Sequence, residues 1–407
     1  MIIEKLNGKT ICVLGYGQEG KATVEALETY APDANITIAD QDESIQTDHT
    51  TQLGTDWLNN LDTFDVVIAS PGIPPIKLTT QNTERITNAT QIFLDTVQAK
   101  DATVVGVTGT KGKSTTASLI YEILKAAGKD VYLVGNIGIP SIGYIDRASA
   151  NTIFVQEISS AQAMNLTSGP QIAVVTSFFP EHLDYHGSEA KYLAAKQKVC
   201  QSATHIFHAN NRAKEITARA SMSITEYAEE NFETGLIGSH NQLNIAGAFK
   251  VTTDVFSVDP EVAKKAIKEF KGLPHRLELL GTHNGIEWID DCISTTPEST
   301  IEAINALGSK LHTIILGGKD RGLDYTELGK VIESSAINHV ILLGENSEKI
   351  ETAITNTKIC NVDSMKEAVS LAKEGIVLLS PAAASYDMFK NFEEKGDAFK
   401  DCITSRL

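Results

Sequence analysis

No apolar run in the chain approaches the roughly 18 residues needed to cross a bilayer, which excludes a protein built from membrane-spanning helices. The opening residues, MIIEKLNGKTICVLG, lack the basic segment, long apolar core and small-residue cleavage site of an export signal, so the cytosol is the expected location. Cysteine is scarce. Five residues, Cys12, Cys200, Cys292, Cys360 and Cys402, form no C-x-x-C pair, which argues against a disulfide framework and a cysteine zinc site and leaves buried packing as their role. Positive charge is also short: 35 Lys and Arg against 52 Asp and Glu give a net charge of −17, the wrong sign for neutralising nucleic-acid phosphates. An anionic substrate must be met by local basic groups. There is no short-period repeat and no low-complexity linker. What remains is an ordinary globular composition, 42% hydrophobic and 21% charged over 407 residues. That length suits roughly two to four domains.

Strand-like runs alternate with helical patterns along the whole chain, so the expected fold class is α/β with mainly parallel sheets in three segments. Residues 1–97 read as a Rossmann-like domain, with KTICVL at 9–14, ITIAD at 36–40 and DVVIAS at 65–70. Residues 98–272 read as a central domain of the P-loop ATPase kind. Residues 273–407 read as a second Rossmann-like domain, with strands at TIILGG, HVILLG and GIVLLS.

The densest signal is GVTGTKGKST at 106–115. The apolar, β-branched run before it reads as a buried strand, and SLIYEILKAA after it has helical spacing. A glycine loop between a strand and a helix N-terminus presents backbone N–H groups and the positive end of the helix dipole to phosphates. Lys113 adds a mobile charge and the Ser114 hydroxyl suits Mg²⁺, so Gly109, Thr110, Lys111, Gly112 and Thr115 become candidate ATP residues with them. Val107 breaks the usual G-x-x-x-x-G-K-[ST] pattern, and G-x-x-G-x-x-G-K-S replaces it.

Other motifs share one placement, after strands. GYGQEG at 15–20, with Asp40 twenty residues beyond Gly20, suits a dinucleotide or any nucleotide-like ligand whose phosphates sit at the first helix. SPGIPP at 70–75 punctuates a strand end at the sheet's ligand-binding edge. Glu157 ends the run NTIFVQE, and a carboxylate there suits magnesium, while Ser159, Ser160 and Gln162 read equally as a helix cap. His182 and Asp184 follow another strand, for a shared metal site or a cap. In SEAKYLAAKQKVC, Lys196 falls one position off the apolar face and reads as a solvated lysine. Asn241 and Asn244 lie three apart on a helix face, suited to an adenine edge or a cap. Asp290, Asp291, Lys319 and Arg321 follow strands of the third segment, as do Ser385, Lys390, Asn391 and Phe392.

Taken together, SPGIP, GTKGKST, GNIG, EISSAQ, EHLDYHGS…YLAAK, HNQLN, GLPHRLE and LLSPAAASYDMFKNFEEKGDAF resemble, in order and over nearly the whole chain, the Mur ligases, and within them those that add glutamate to UDP-N-acetylmuramoyl-L-alanine. The resemblance implies an ATP-dependent amide ligase of cytoplasmic peptidoglycan precursor synthesis, working through an acyl phosphate on small-molecule substrates as a monomer. It implies that Lys113 and Ser114 hold the β/γ-phosphates and a first Mg²⁺, and that Glu157 and His182 hold a second. Lys196 matches the lysine that the family carbamylates with CO₂. Gly15, Gly17, Asp40, Ser70 and Gly72 would line the uridine diphosphate site, and Asn136, Ser159 and Gln162 the muramoyl-alanine path. Asn244, Arg276 and Asp291 would contact ATP, and Thr295, Arg321, Ser385 and Phe392 the glutamate, expected as the D enantiomer. Three positions depart from the family pattern: Lys111 stands where asparagine is usual, Arg321 where lysine is usual, and Ile293 where many members carry lysine.

Overall fold

The structure, a computed structural model, describes residues 1–74, 83–135, 140–217 and 223–405. Short β-branched runs form the strands, and each sheet puts its most apolar run at the centre. In the first sheet β1 (Thr10–Leu14), β2 (Asn35–Asp40), β3 (Thr50–Leu53), β4 (Val66–Ala69) and β5 (Ile86–Thr87) run parallel in the order β3-β2-β1-β4-β5. In the second β6 (Thr103–Thr108), β7 (Val131–Gly135), β8 (Ile153–Glu157), β9 (Ile172–Val175), β10 (His205–Ala209) and β11 (Ser223–Tyr227) run parallel in the order β11-β10-β9-β6-β8-β7. In the third β12 (Glu278–His283), β13 (Ile286–Asp290), β14 (Leu311–Leu316), β15 (His339–Leu343), β16 (Lys358–Val362) and β17 (Gly375–Leu379) take the order β12-β13-β17-β14-β15-β16, with only β12 antiparallel to its neighbour.

The orders matter for function. Open α/β sheets bind ligands beyond the carboxyl ends of strands where the chain switches direction across the sheet. In the first sheet β1 lies between β2 and β4, which brings the turn after Leu14, Asp40 and the loop after Ala69 to one edge. In the second, β6 lies between β8 and β9, with Val107 beside Glu157 and Thr108 beside Val175. The phosphate loop, the Glu157 carboxylate and the segment after Val175 therefore share an edge.

The chain divides into two compact units, Met1–Glu233 with His240–Lys268, and Thr234–Ser239 with Glu269–Leu407. The first two sheets share the first unit. The helices used below are α1 (Gln18–Tyr30), α2 (Ala89–Gln98), α3 (Lys113–Ala126), α4 (Ser160–Ala163), α5 (Leu183–His186) and α6 (Glu189–Cys200). Helix α2, capped by Asn88, joins the two sheets: Phe93 meets Phe154 of β8 edge-on at 5.1 Å, and the Asn88 amide donates to Gln162 O at 2.7 Å. The second unit is organised around its sheet, with Ile314, Leu316, Leu342 and Leu378 on one face and Trp288, Ile315, Val377 and Phe399 on the other. All five thiols are free; Cys12, Cys200 and Cys292 are buried and Cys360 and Cys402 half-buried. Among the described residues no helix is long and apolar enough to cross a membrane.

Packing tolerances give a test of the second unit. Gly329, in the helix Thr326–Ser334, leaves a methyl group no room, since a Cβ there falls 2.0 Å from Ala353 O. Alanine in a helix gains about 1 kcal/mol over glycine in propensity, yet overpacking against backbone costs about 1–3 kcal/mol. Gly329→Ala should lower the urea midpoint reported by Trp288 fluorescence in a Trp57→Phe background. An unchanged or higher midpoint would contradict this packing.

Candidate active site

The phosphate loop follows β6 and needs its glycines. Gly109 and Gly112 have φ of +147° and +87°, and a Cβ on them would lie 2.1 Å from Thr176 Oγ1 and 2.3 Å from Asn244 Oδ1. No side chain caps α3 at Gly112, so the first turn of that helix offers N–H groups to an external anion. The loop is braced from behind by the segment after β9. Thr110 N donates to Ser177 O at 2.9 Å, Lys111 N to Ser177 Oγ at 2.8 Å, and Thr176 Oγ1 to Lys111 O at 2.6 Å. Thr110 Oγ1 donates to Phe179 O and accepts from Phe179 N, both at 3.0 Å, and lies 3.0 Å from Tyr192 Oη. Lys113 folds back to donate to Thr110 O at 2.9 Å, and Thr115 is buried. Asn244 packs over Gly112 and accepts weakly from Thr116 Oγ1 at 3.5 Å, with its amide on Asn241 at 2.9 Å.

Of the expected metal and modification residues, Ser114, Glu157 and Lys196 stand at this loop. Ser114 Oγ donates to Glu157 Oε2 at 2.9 Å, so two hard oxygens stand together where α3 begins. Lys196 is not the solvated lysine its position on the helix suggests. It is 1% exposed, donates from Nζ to Gly109 O at 2.6 Å, and lies 4.8 Å over the Tyr192 ring. Burial, then the charge of Lys113, holds its pKa well below the ordinary lysine value, with Glu181 and Glu157 opposing. His182 precedes the one-turn helix α5 with a left-handed φ of +54°. Its side chain is 60% exposed, 3.7 Å from Glu181 Oε2 and edge-on to Tyr192 at 6.3 Å. Lys111, where the family favours asparagine, pairs with Glu181 Oε1 at 2.6 Å. The pair links the phosphate loop to the residue beside His182.

On the first sheet, Gly15, Asp40 and Ser70 come together. A Cβ on Gly15 (φ +91°) would meet Ser70 Cβ at 2.8 Å. Asp40 accepts from Tyr16 N at 2.7 Å and Asp42 N at 3.0 Å, so its carboxylate shapes the loops. Tyr16, Gly17, Lys21, Asp40, Asp42 and Ser44 border a cavity of about 620 Å³. Gly72 lies in the loop after β4 with open space where a Cβ would stand, and Asn136 lies outside the described residues. Ser159 and Gln162 form a capping box on α4, with Gln162 N on Ser159 Oγ at 3.2 Å and Ser159 N on Gln162 Oε1 at 3.0 Å. This is the capping alternative that S-x-x-Q spells. The Gln162 side chain also bonds Glu19, whose pKa burial raises to about 7.

The remaining residues belong to the second unit. Asp291 accepts from Ser380 Oγ at 2.8 Å and Leu277 N at 3.1 Å; burial raises its pKa to about 6 against these bonds and the charge of Arg276. Arg276 and Arg321 are exposed and Thr295 half-buried. Ser385 is buried, its Oγ lacking a partner among the described residues, and Phe392 lies edge-on to His275 at 6.0 Å. A grouping that sequence reasoning missed joins His275, Glu278 and Asp290, ligand atoms within 4.8 Å. Its charge is met by Lys400, 3.0 Å from Glu278 and 3.9 Å from Asp290, and by the His275–Asp290 contact at 2.7 Å. GLPHRLE and IDD supply these residues, but only the fold pairs them.

A glycine loop ahead of a helix, with serine and carboxylate oxygens paired beside it, has the geometry that suits a nucleoside triphosphate in loops of the P-loop kind. Residues 107–230 match the Mur ligase middle domain and 275–383 the Mur ligase glutamate ligase domain. A UDP-N-acetylmuramoylalanine–D-glutamate ligase of Acetivibrio thermocellus is 30% identical over 99% of this chain and 97% of its own. A UDP-N-acetylmuramoyl-L-alanine–L-glutamate ligase of Salinispora tropica is 32% identical over 99% of both. The chain belongs to the Mur ligase family. Among solved structures, the UDP-N-acetylmuramate-alanine ligase of Thermotoga maritima shares the fold with a TM-score of 0.64 at 17% identity, over 98% of this chain and 100% of that one. Folylpolyglutamate synthase of Mycobacterium tuberculosis shares it with a TM-score of 0.58 at 12% identity, over 77% of this chain and 94% of that one.

Asp291 gives the second unit a pH signature. Its folded pKa of about 6 lies above the ordinary 3.8, so the folded state holds this proton more tightly than the unfolded one. The resulting stability is present below pH 3.8 and is lost as pH rises through about 6, on the order of 3 kcal/mol for about two pK units. Asp291→Asn should therefore gain stability relative to the parent between about pH 4 and pH 7. Parallel stability profiles in urea would contradict the burial of this charge.

Proposed function

We propose that the chain is an ATP-dependent ligase that joins glutamate to UDP-N-acetylmuramoyl-L-alanine in peptidoglycan precursor synthesis. The observation that carries the reading is the buried Lys196 on the phosphate loop, beside the Ser114–Glu157 pair. Burial holds the Lys196 pKa well below the ordinary lysine value, and a carbamylated lysine there would supply an anion. Support also comes from the names of the full-length relatives.

A carboxylate does not condense with an amine in water. An oxygen of the alanine carboxylate attacks the γ-phosphorus of ATP and ADP leaves, giving an acyl phosphate. The glutamate amine then attacks the acyl carbon, the C–O bond to phosphate breaks, and an amide, inorganic phosphate and a proton are released. Catalysis of such steps is mainly positioning and charge stabilisation. Gly109, Thr110, Lys111, Gly112, Lys113 and Thr115 cradle the triphosphate, with Asn244, Arg276 and Asp291 as further ATP contacts. The paired oxygens of Ser114 and Glu157 would hold magnesium, with His182 as a further ligand, and the bound ion would supply neutralisation of phosphate charge. In its neutral form, which burial favours, the Lys196 amine would add to CO₂, forming an N–C bond and releasing a proton, and the carbamate anion would support the metal site.

Residues 1–97 would form the domain that takes the uridine diphosphate, through Gly15, Gly17, Asp40, Ser70 and Gly72. The muramoyl-alanine arm follows Asn136, Ser159 and Gln162 within the ATP domain, 98–272. Thr295, Arg321, Ser385 and Phe392 of the domain 273–407 receive glutamate. Arg321 keeps a bidentate donor for a carboxylate, and Ile293 adds none. The relatives divide between D- and L-glutamate at similar identity; glutamate is the proposed amino acid, with the D enantiomer expected.

The chain should release phosphate from Mg-ATP only when UDP-N-acetylmuramoyl-L-alanine and D-glutamate are both present. Turnover with L-glutamate in place of D would reassign the enantiomer. Absence of release with either would remove the proposal, and NADH binding without UDP-sugar binding would favour a dehydrogenase.

A further inference from the structure

The segment carrying His182 is tied to both substrate loops of the first unit. Toward the nucleotide, Phe179 bonds Thr110 twice and Glu181 pairs with Lys111. Toward the first sheet, the Tyr185 hydroxyl donates to Pro71 O at 2.8 Å and reaches Ile73 O at 3.2 Å, 114 and 112 residues away in sequence. Those carbonyls lie in the loop after β4, where Ile73 N bonds Ser70 O at 3.1 Å and the side chains of Ser70 and Ile73 crowd Gly15. One end of this contact is therefore the turn assigned to uridine diphosphate.

The other end is His182. Helix α5 is a single turn in which Tyr185 N and His186 N both bond His182 O, at 3.2 and 3.0 Å. Tyr185 packs edge-on against His186 at 4.9 Å; the His186 ring is buried, 5.2 Å from Tyr192, with Nε2 3.0 Å from Ser160 Oγ. A turn this short, pinned on three sides, has little freedom to let Tyr185 move without His182. The backbone of His182 is left-handed, costly for a non-glycine residue, so it persists only while its surroundings hold it.

We propose that Tyr185 is a positioning residue that couples occupancy of the uridine diphosphate loop to the placement of His182 at the nucleotide site. The coupling rests on the proposed function, because it needs both ligands. Binding at one site then favours binding at the other, and linkage makes the effect reciprocal.

Calorimetry of the full chain tests it with Mg²⁺ and a non-hydrolysable ATP analogue, titrated with and without UDP-N-acetylmuramoyl-L-alanine. In the parent protein the UDP substrate should tighten nucleotide binding by about fivefold or more. Tyr185→Phe keeps the ring and removes only the hydroxyl. It should leave each ligand's affinity measured alone within about twofold and bring the ratio to about one. A purely structural role would weaken the separate affinities or the melting temperature and leave the ratio intact. Equal ratios in the variant and the parent, or a parent ratio of one, would overturn the coupling while the proposed function stands. Failure of the UDP substrate to bind the parent at all would overturn both.

Discussion

Burying a lysine ammonium beside a loop meant for phosphates sets the terms for the rest of the first unit. An isolated charge in a protein interior costs far more than a single hydrogen bond returns, so burial holds the Lys196 pKa well below the ordinary lysine value. Gly109 O takes one Lys196 N–H at 2.6 Å, and nearby Lys113 makes a second ammonium still less welcome. In its neutral form an amine in such a place is a nucleophile toward CO₂, and the proposed carbamate would add an anion beside the paired oxygens of Ser114 and Glu157. The rigid loop, the crowded glycines and the packing of Tyr192 all keep that amine beside the triphosphate site.

Sheet order does the rest of the positioning. Each of the first two sheets puts its ligand loop on a central strand whose neighbours supply the partners: Asp40 and the Ser70 loop beside Gly15, Glu157 and the 176–187 segment beside the phosphate loop. Because α2 and its Asn88 cap tie the sheets into one unit, contacts such as Tyr185 to Pro71 can carry information between them. The second unit holds Asp291, Arg276 and Ser385 on its own sheet edge. The buried, unpartnered Ser385 hydroxyl there is the kind of group a ligand carboxylate satisfies.

What could be read from sequence was local. Strands such as TVVGVT and HVILL announce themselves by β-branched runs, and the phosphate loop by glycines between a strand and a helix. Ser159 and Gln162 spelled a capping box whose spacing is itself the mechanism. The role of Lys196 was legible only through the family resemblance; its burial was not, because helix α6 carries Lys191, Gln197 and Lys198 alongside it and its hydrogen-bond partner, Gly109 O, lies 87 residues away. Likewise the Lys111–Glu181 pair and the Lys400 charge on Glu278 and Asp290 join residues that only the folded topology brings together.

Whether Lys196 sheds its charge to become a carbamate is the claim on which the metal site and the chemistry depend. The direct measurement is the ¹³C NMR spectrum of the protein equilibrated with ¹³C-bicarbonate and magnesium. One carbamate resonance should appear, absent from Lys196→Ala and weakening as pH falls and the amine is protonated. No carbamate resonance in the parent protein, or one that persists in Lys196→Ala, would contradict it.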